Sequence, residues 1–180
     1  PELVQDWHDN PTSSLVTIKC EPWNYKDQIL ILGDASHAIV PFYGQGMNSG
    51  FEDCTVFEQI MGETEDWAER FERFSRKRKP DTDAIAELAF INHVEMRDKT
   101  GDPKFLLQKK IESRFFEKHP EKWMPLYSQV TFSNIPYADA LNTGLKQQKI
   151  MDQVMKDPEI KEKWDSGVIE EQILSLIKYT

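Results

Sequence analysis

The run ILILGDASHAIVPFYGQGMNSGFEDC, from Ile29 to Cys54, constrains the fold more than the rest of the chain together. A short strand over residues 28–32 runs into Gly33-Asp34, then into a Pro/Gly-rich loop, then into a helix opening near Gly46. Gly33 permits a sharp turn where the strand ends. Asp34 sets a carboxylate where it can accept hydrogen bonds from hydroxyl groups. Gly44, Gly46 and Gly50 carry no side chain, so backbone there can approach a flat or anionic ligand closely. The N–H groups opening the helix, around Met47 and Asn48, are unpaired donors at the positive end of a dipole. This layout suits a cofactor bearing both hydroxyls and delocalised negative charge.

Around that run, residues 1–14 read as a helix end and loop, and Leu15–Glu21 alternates as a strand before the second strand at 28–32. Asn24 and Lys26-Asp27 carry turn chemistry between the two. Apolar positions at Met47, Phe51, Cys54 and Met61 extend the following helix to Gly62, a candidate C-cap. Helical spacing then recurs. One segment, Glu65–Lys79, carries Trp67, Phe71 and Phe74 and is stopped by Pro80. Others span Thr82–Lys99, Lys104–Lys118, Tyr137–Met155 and the stretch opened by Asp157-Pro158. Residues 126–133 are ambiguous, with Val130-Thr131-Phe132 open to an extended reading. Asn92 and Glu95 lie three apart, on one face of a helix and among Leu88, Ala89, Ile91 and Met96. Polar groups there cost energy unless partnered.

Composition removes several classes of function. A net charge of −9 over 180 residues argues against a nucleic-acid footprint. The basic run Arg70, Arg73, Arg76, Lys77, Arg78, Lys79 follows an acidic start at Glu63, Glu65, Asp66 and Glu69. That order complements a helix dipole and reads as a solvated helix end. Two cysteines, Cys20 and Cys54, are too few for a disulfide framework or a zinc site, and four histidines show no metal spacing, so no metal is expected. No stretch approaches 18 apolar residues, the length of a membrane-spanning helix.

The same run resembles the second flavin-binding motif of the FAD-dependent aromatic hydroxylases, the single-component flavoprotein monooxygenases. Their pattern G-D-A-x-H, then P, then G-Q-G-x-N-x-G, then E-D is met by Gly33-Asp34-Ala35, His37, Pro41, Gly44-Gln45-Gly46, Asn48, Gly50 and Glu52-Asp53. The wording PFYGQGMN with FEDC, together with FINHVEMR (Phe90–Arg97) and PLYSQVTFS (Pro125–Ser133), is closer still to one member that acts on an aromatic amino acid. The resemblance covers residues 18 to 137 or so. Ser36 stands where the family often has Ala, Tyr43 where relatives often have Phe, and Cys54 where the family usually has Ala.

The resemblance implies an α/β (α+β) FAD-binding fold of which this chain holds the C-terminal part, two or so strands followed by a mainly helical region. Residues 1–100 would complete the FAD-binding and substrate domain, and residues 101–180 would form a helical C-terminal region. It implies bound FAD, with NADPH as transient reductant and O₂ as oxidant, the oxygen passing to the ring from a flavin C4a-hydroperoxide. Gly33, Asp34, Gly44, Gly46, Met47 and Asn48 would hold the flavin. Asp34 would bond its ribityl chain, and the backbone at 46–48 would meet its pyrimidine edge; Asn48 could equally cap the helix. Pro41, Phe42, Gln45, Asn92, Glu95 and Tyr127 would line the substrate. His37 is expected to shape the loop, and Glu52-Asp53 to complement the helix dipole or to touch the ligand.

No G-x-G-x-x-G fingerprint for the ADP half of FAD occurs in these residues. The expected partner is therefore the N-terminal part of the same polypeptide, without which this piece should be inactive. The resemblance also implies the mitochondrial outer membrane, with peripheral contact through the C-terminal region. Two alternatives remain open. One is an FAD-dependent hydroxylase of another aromatic substrate. The other is a non-enzymatic helical module that docks or anchors through the apolar positions of Val168–Tyr179.

Overall fold

The computed structural model describes residues 2–179. It is mainly helical, with one small antiparallel sheet. Helix α1 (Glu2–Asp9) buries nothing, and its Leu3 and Trp7 are both 81% exposed. Leu15–Glu21, expected as a strand, is chain without a sheet partner among the described residues. Its Leu15, Val16 and Ile18 stay on the surface, so alternation alone supplies no buried face. One backbone bond holds it to the motif run, from Ile18 N–H to Ala38 O at 2.7 Å.

Strands β1 (Asn24–Tyr25) and β2 (Ile29–Leu30) pair through a tight turn in which Lys26 takes φ 50°. The second strand is shorter than residues 28–32. After it come a one-turn helix α2 (Asp34–His37) and then α3 (Gly46–Met61). Gly62 does end α3, but in a right-handed conformation with its N–H donated to Glu58 O and Gln59 O.

Helix α4 (Trp67–Val94) begins at Asp66, whose side chain accepts from Glu69 N–H at 2.9 Å. It runs through Pro80, where the sequence predicts a stop. A proline inside a helix costs about 3 kcal/mol through a lost backbone bond and a steric clash. Here its ring is exposed, while Phe74, Arg78, Thr82 and Ile85 are buried on either side of it, so packing outweighs the break. The two expected segments are therefore one rod, continued by a π-helical turn at Glu95–Lys99.

Helix α5 (Pro103–Lys118) starts with Asp102 capping Lys104 N–H. The ambiguous segment is helical, α6 (Leu126–Phe132), and packs on α7 (Tyr137–Val154) so closely that a Cβ on Gly144 would lie 2.7 Å from Leu126 Cδ2. The last stretch splits into α8 (Ile160–Lys163) and α9 (Gly167–Tyr179).

Three apolar clusters hold this together. Trp23, Ile60 and Phe74 join the sheet to α3 and α4. Ala84, Ile85, Leu88, Val130, Tyr137 and Ala140 join α4 to α6 and α7. The third joins α5, α7, α8 and α9 around Phe115, Trp123, Met151, Ile169 and Ile173. Helix α4 thus carries the motif run on one stretch and the C-terminal helices on the next.

Candidate functional site

Gly33 takes φ 60°, ψ −144°, a backbone state open essentially to glycine. A Cβ there would meet nothing within 4 Å, so it is the conformation that demands glycine. Asp34 follows as the first residue of α2, exposed and without a hydrogen-bond partner among the described residues. The loop turns again at Pro41–Gly44, where Gly44 N–H donates to Pro41 O at 3.0 Å and Gly44 takes φ 67°. Cβ atoms on Gly44 or Gly50 would also point into open space.

Helix α3 opens with Gln45 as its N-cap residue and no side chain capping it. The N–H groups of Gly46, Met47 and Asn48 therefore have no partner from the helix itself. Met47 and Asn48 are exposed. Asn48 does not cap; its Nδ2 donates to Gln45 Oε1 at 2.9 Å. An acceptor carboxylate at Asp34, bare backbone at the glycines and the donor N–H groups of an uncapped helix start form a set that fits FAD.

Beneath this surface sits a buried ionic cluster. Asp53, wholly inaccessible, accepts from Gly33 N–H at 2.9 Å, His37 Nε2 at 2.6 Å and Arg78 Nε at 2.7 Å. His37 Nε2 therefore carries its proton toward Asp53, and its ring lies 5.4 Å from that of Trp23. Burial alone would raise the Asp53 carboxyl. The bonds from His37, Arg78 and Gly33 outweigh it and hold the group below its ordinary range. Arg78 also donates to Ser49 O and Oγ, and pairs with Glu52 at 2.9 Å.

Two arginines of α4 correct one expectation. Arg78 and Arg70 are not part of a solvated helix end: they are 2% and 7% exposed. Arg70 donates to Thr64 O and Met61 O, closing the end of α3. Arg70, Phe74 and Arg78 recur every four residues along the face that also buries Phe71, a spacing that marks both arginines as inward. Exposure holds for Arg76 and Lys77.

Four of the six residues named as substrate-lining lie on two cavities. One of about 560 Å³ is lined by Asn92 and Glu95 of α4 and its π turn, by Tyr43, and by Tyr127 of α6. Tyr43 and Tyr127 stack at 5.7 Å. Burial, then the nearby Glu95 carboxylate and Tyr127, raise the Tyr43 phenol well above its ordinary range, so it stays a neutral donor. Asn92 Nδ2 donates to Phe42 O at 2.7 Å and also faces Met96 Sδ at 3.5 Å, a weak acceptor. Phe42 stacks on His93 at 4.0 Å rather than standing in the cavity, and Pro41 is exposed. Gln45 is buried and lines a neighbouring cavity of about 430 Å³ with Phe51, Phe132 and Tyr137. Tyr137 donates to Gln45 Oε1 at 3.1 Å, a contact no local pattern announces.

Known proteins with related sequences narrow the identity. Residues 15–89 match the FAD binding domain family. The kynurenine 3-monooxygenase of Christiangramia forsetii is 58% identical over 98% of this chain and 40% of its own length. That of Flavobacterium johnsoniae is 54% identical over 99% of the chain and 40% of its length. That of Dictyostelium discoideum is 41% identical over 87% of the chain and 37% of its length. The chain thus spans about 40% of the length of the curated relatives it matches. With the motif run inside the matched domain and the likeness reaching nearly every residue, this chain carries an FAD binding domain match and is, along nearly its whole length, a homologue of part of the sequences named kynurenine 3-monooxygenase.

Proposed function

We propose that the protein containing this chain hydroxylates kynurenine at its 3-position, using FAD, NADPH and O₂. One observation carries the reading. The loop of residues 41–46 leads directly into the uncapped start of α3 at one end, and is hydrogen-bonded by Asn92 at the rim of an aromatic cavity at the other. A flavin against the first and a planar substrate in the second would lie side by side. When bound, FAD accepts hydride equivalents from NADPH and activates O₂ for transfer to the ring.

Each residue then has a task at a stated atom. Asp34 accepts from the ribityl hydroxyls. The N–H groups of 46–48 donate to the pyrimidine edge and stabilise negative charge there. Asn92, keeping one amide N–H on Phe42 O, turns the other from Met96 Sδ to a substrate carboxylate. Tyr127 and Tyr43 supply hydroxyl donors and aromatic walls, and the clamped loop excludes water. Gln45, held by Tyr137, sets the loop's shape.

The test is a visible absorption spectrum of the full-length protein, then NADPH oxidation with and without L-kynurenine. A flavin spectrum, kynurenine-stimulated oxidation and 3-hydroxykynurenine as product would establish the reaction. Flavin without a kynurenine response would keep the hydroxylase and discard the substrate. No flavin in the folded protein would remove the reading entirely.

The placement at the outer membrane of mitochondria rests on resemblance and is part of the proposal, as peripheral contact. Among the described residues no helix is long and apolar enough to cross a membrane. In α9, Ile169 and Ile173 are 1% exposed and packed on α5 and α7, while Val168 and Tyr179 face outward. Most of the stripe on which an anchoring module would depend is thereby used in the core.

A further inference from the structure

We propose that Arg78 is a positioning residue for the flavin site, fixing the turn at Gly33-Asp34 against the first turn of α3; this rests on the reading that the site binds FAD. The guanidinium spans both sides of the site from below. Its Nε donates to Asp53 Oδ1 at 2.7 Å, and the other oxygen of that carboxylate takes Gly33 N–H at 2.9 Å. Its Nη2 donates to Ser49 O at 3.2 Å and Ser49 Oγ at 3.3 Å, in the first turn of α3. Its Nη1 pairs with Glu52 at 2.9 Å, one turn further on. A single side chain of α4 thus sets the distance between the Asp34 carboxylate and the free N–H groups of residues 46–48.

None of these bonds faces the ligand. Asp34, Met47 and Asn48 are exposed, whereas Arg78, Ser49 and Asp53 are 2%, 0% and 0% exposed. Stability alone does not require such a cluster, because well-packed apolar groups of equal volume serve a core as well or better. Short bonds of fixed direction serve orientation. A planar fork can reach Asp53, Ser49 and Glu52 together, and a lysine ammonium on its flexible stem cannot. Helix α4 also lines the substrate cavity through Asn92, so the same rod indexes both halves of the site.

The test compares wild type with Arg78→Lys in the full-length protein, reading three quantities. These are thermal midpoint of the apoprotein, FAD dissociation constant by flavin fluorescence, and flavin midpoint potential. The expectation is an apoprotein that folds with a lowered midpoint, because buried groups lose partners, with FAD bound about tenfold more weakly and a potential shifted to more negative values. That last shift follows because the helix start sits less squarely on the charge of the reduced ring. Wild-type affinity and potential in Arg78→Lys would overturn the proposal, as would an affinity loss with no change in potential. If Arg78→Lys does not fold, Ser49→Ala decides. It removes one Arg78 contact only, and an unchanged potential there overturns the proposal while a negative shift upholds it. Absence of flavin binding in wild type itself would instead overturn the underlying reading, and this proposal with it.

Discussion

The Tyr137 hydroxyl donates to Gln45 Oε1 across 3.1 Å, joining the first residue of α7 to the residue immediately before α3, 92 positions earlier in the chain. The same amide oxygen accepts from Asn48 Nδ2, and the Gln45 Nε2 leans on Tyr43 O at 3.4 Å. Gln45 is thus held by both helices. The loop it terminates reaches the proposed flavin position on one side and Asn92 on the other. A change at the C-terminal helices can therefore alter the loop without touching any ligand.

Tyr137→Phe keeps the ring, which packs with Ile85 and Val130, and deletes only the donor. Asn48 still satisfies Gln45 Oε1, so the expected stability loss at neutral pH is about 1 kcal/mol. Burial, and then Glu52, push the Tyr137 phenol up to about 12. A phenol raised in the folded state contributes stability that is complete below the unfolded value of about 10, and is lost as pH climbs toward the folded one. Denaturant unfolding between pH 7 and 11.5 checks this. Wild type should lose stability toward the alkaline end, and Tyr137→Phe should lose less of it. Parallel pH curves for the two would refute the assignment.

Asp34→Ala tests the cofactor side with little risk to the fold, since the carboxylate is exposed and makes no bond among the described residues. A hydrogen bond to a charged acceptor is worth roughly 1.5–3 kcal/mol, which is about 10- to 100-fold in FAD affinity. Flavin fluorescence titration should show that weakening with the apoprotein melting point unmoved. Full flavin retention would count against any role for Asp34.

Asp53→Ala leaves the Arg78 guanidinium buried without its nearest carboxylate, an error that costs on the order of 3–5 kcal/mol. The depressed Asp53 carboxyl stabilises the folded state above the unfolded value of about 3.9, and that contribution fades as pH falls through the lower folded value. The gap between wild type and Asp53→Ala in unfolding free energy should accordingly be full at pH 7 and narrow below about pH 4. A gap independent of pH would mean that the cost is one of packing alone.

How much of this is legible in the sequence depends on the range of the interaction. Gly33 and the start of α3 are readable because strand end, sharp turn and helix onset are local, and glycine is the residue such turns require. Helices α3, α5 and α7 are readable because apolar spacing over three or more turns repeats the same local fact. The strand at Leu15–Glu21 fails because alternation reports a potential for burial, and whether a face is covered is decided by other elements. Arg78 is misread for a related reason. A run of basic residues after acidic ones fits a helix dipole, and only its four-residue spacing to Phe74 places it inside. The division of Gln45 and Asn92 between two cavities depends on how α6 and α7 close over the loop, brought together by Gly144 under Leu126. No stretch of sequence near residue 45 encodes that distance.

Pro80 provides the last prediction, because the helix continues through it against the local rule. The residue is exposed, so replacing it loses little packing. Pro80→Ala restores a backbone N–H able to donate to the carbonyl of Arg76, and it relieves the clash of the ring with that carbonyl. The expected change is a gain of about 1–3 kcal/mol, less than the full penalty because the wild-type helix has already relaxed around the ring. Chemical denaturation of the variant would show a higher midpoint with an unaltered slope. A loss of stability would mean that the proline sets a bend in α4 on which the packing of Arg78 below it and Ile85 above it depends. In that case FAD affinity should fall together with stability, because the same rod carries the contacts to Asp53 and Ser49. A more stable variant with unchanged FAD affinity would show instead that those contacts are set by side-chain geometry, independently of any bend at residue 80.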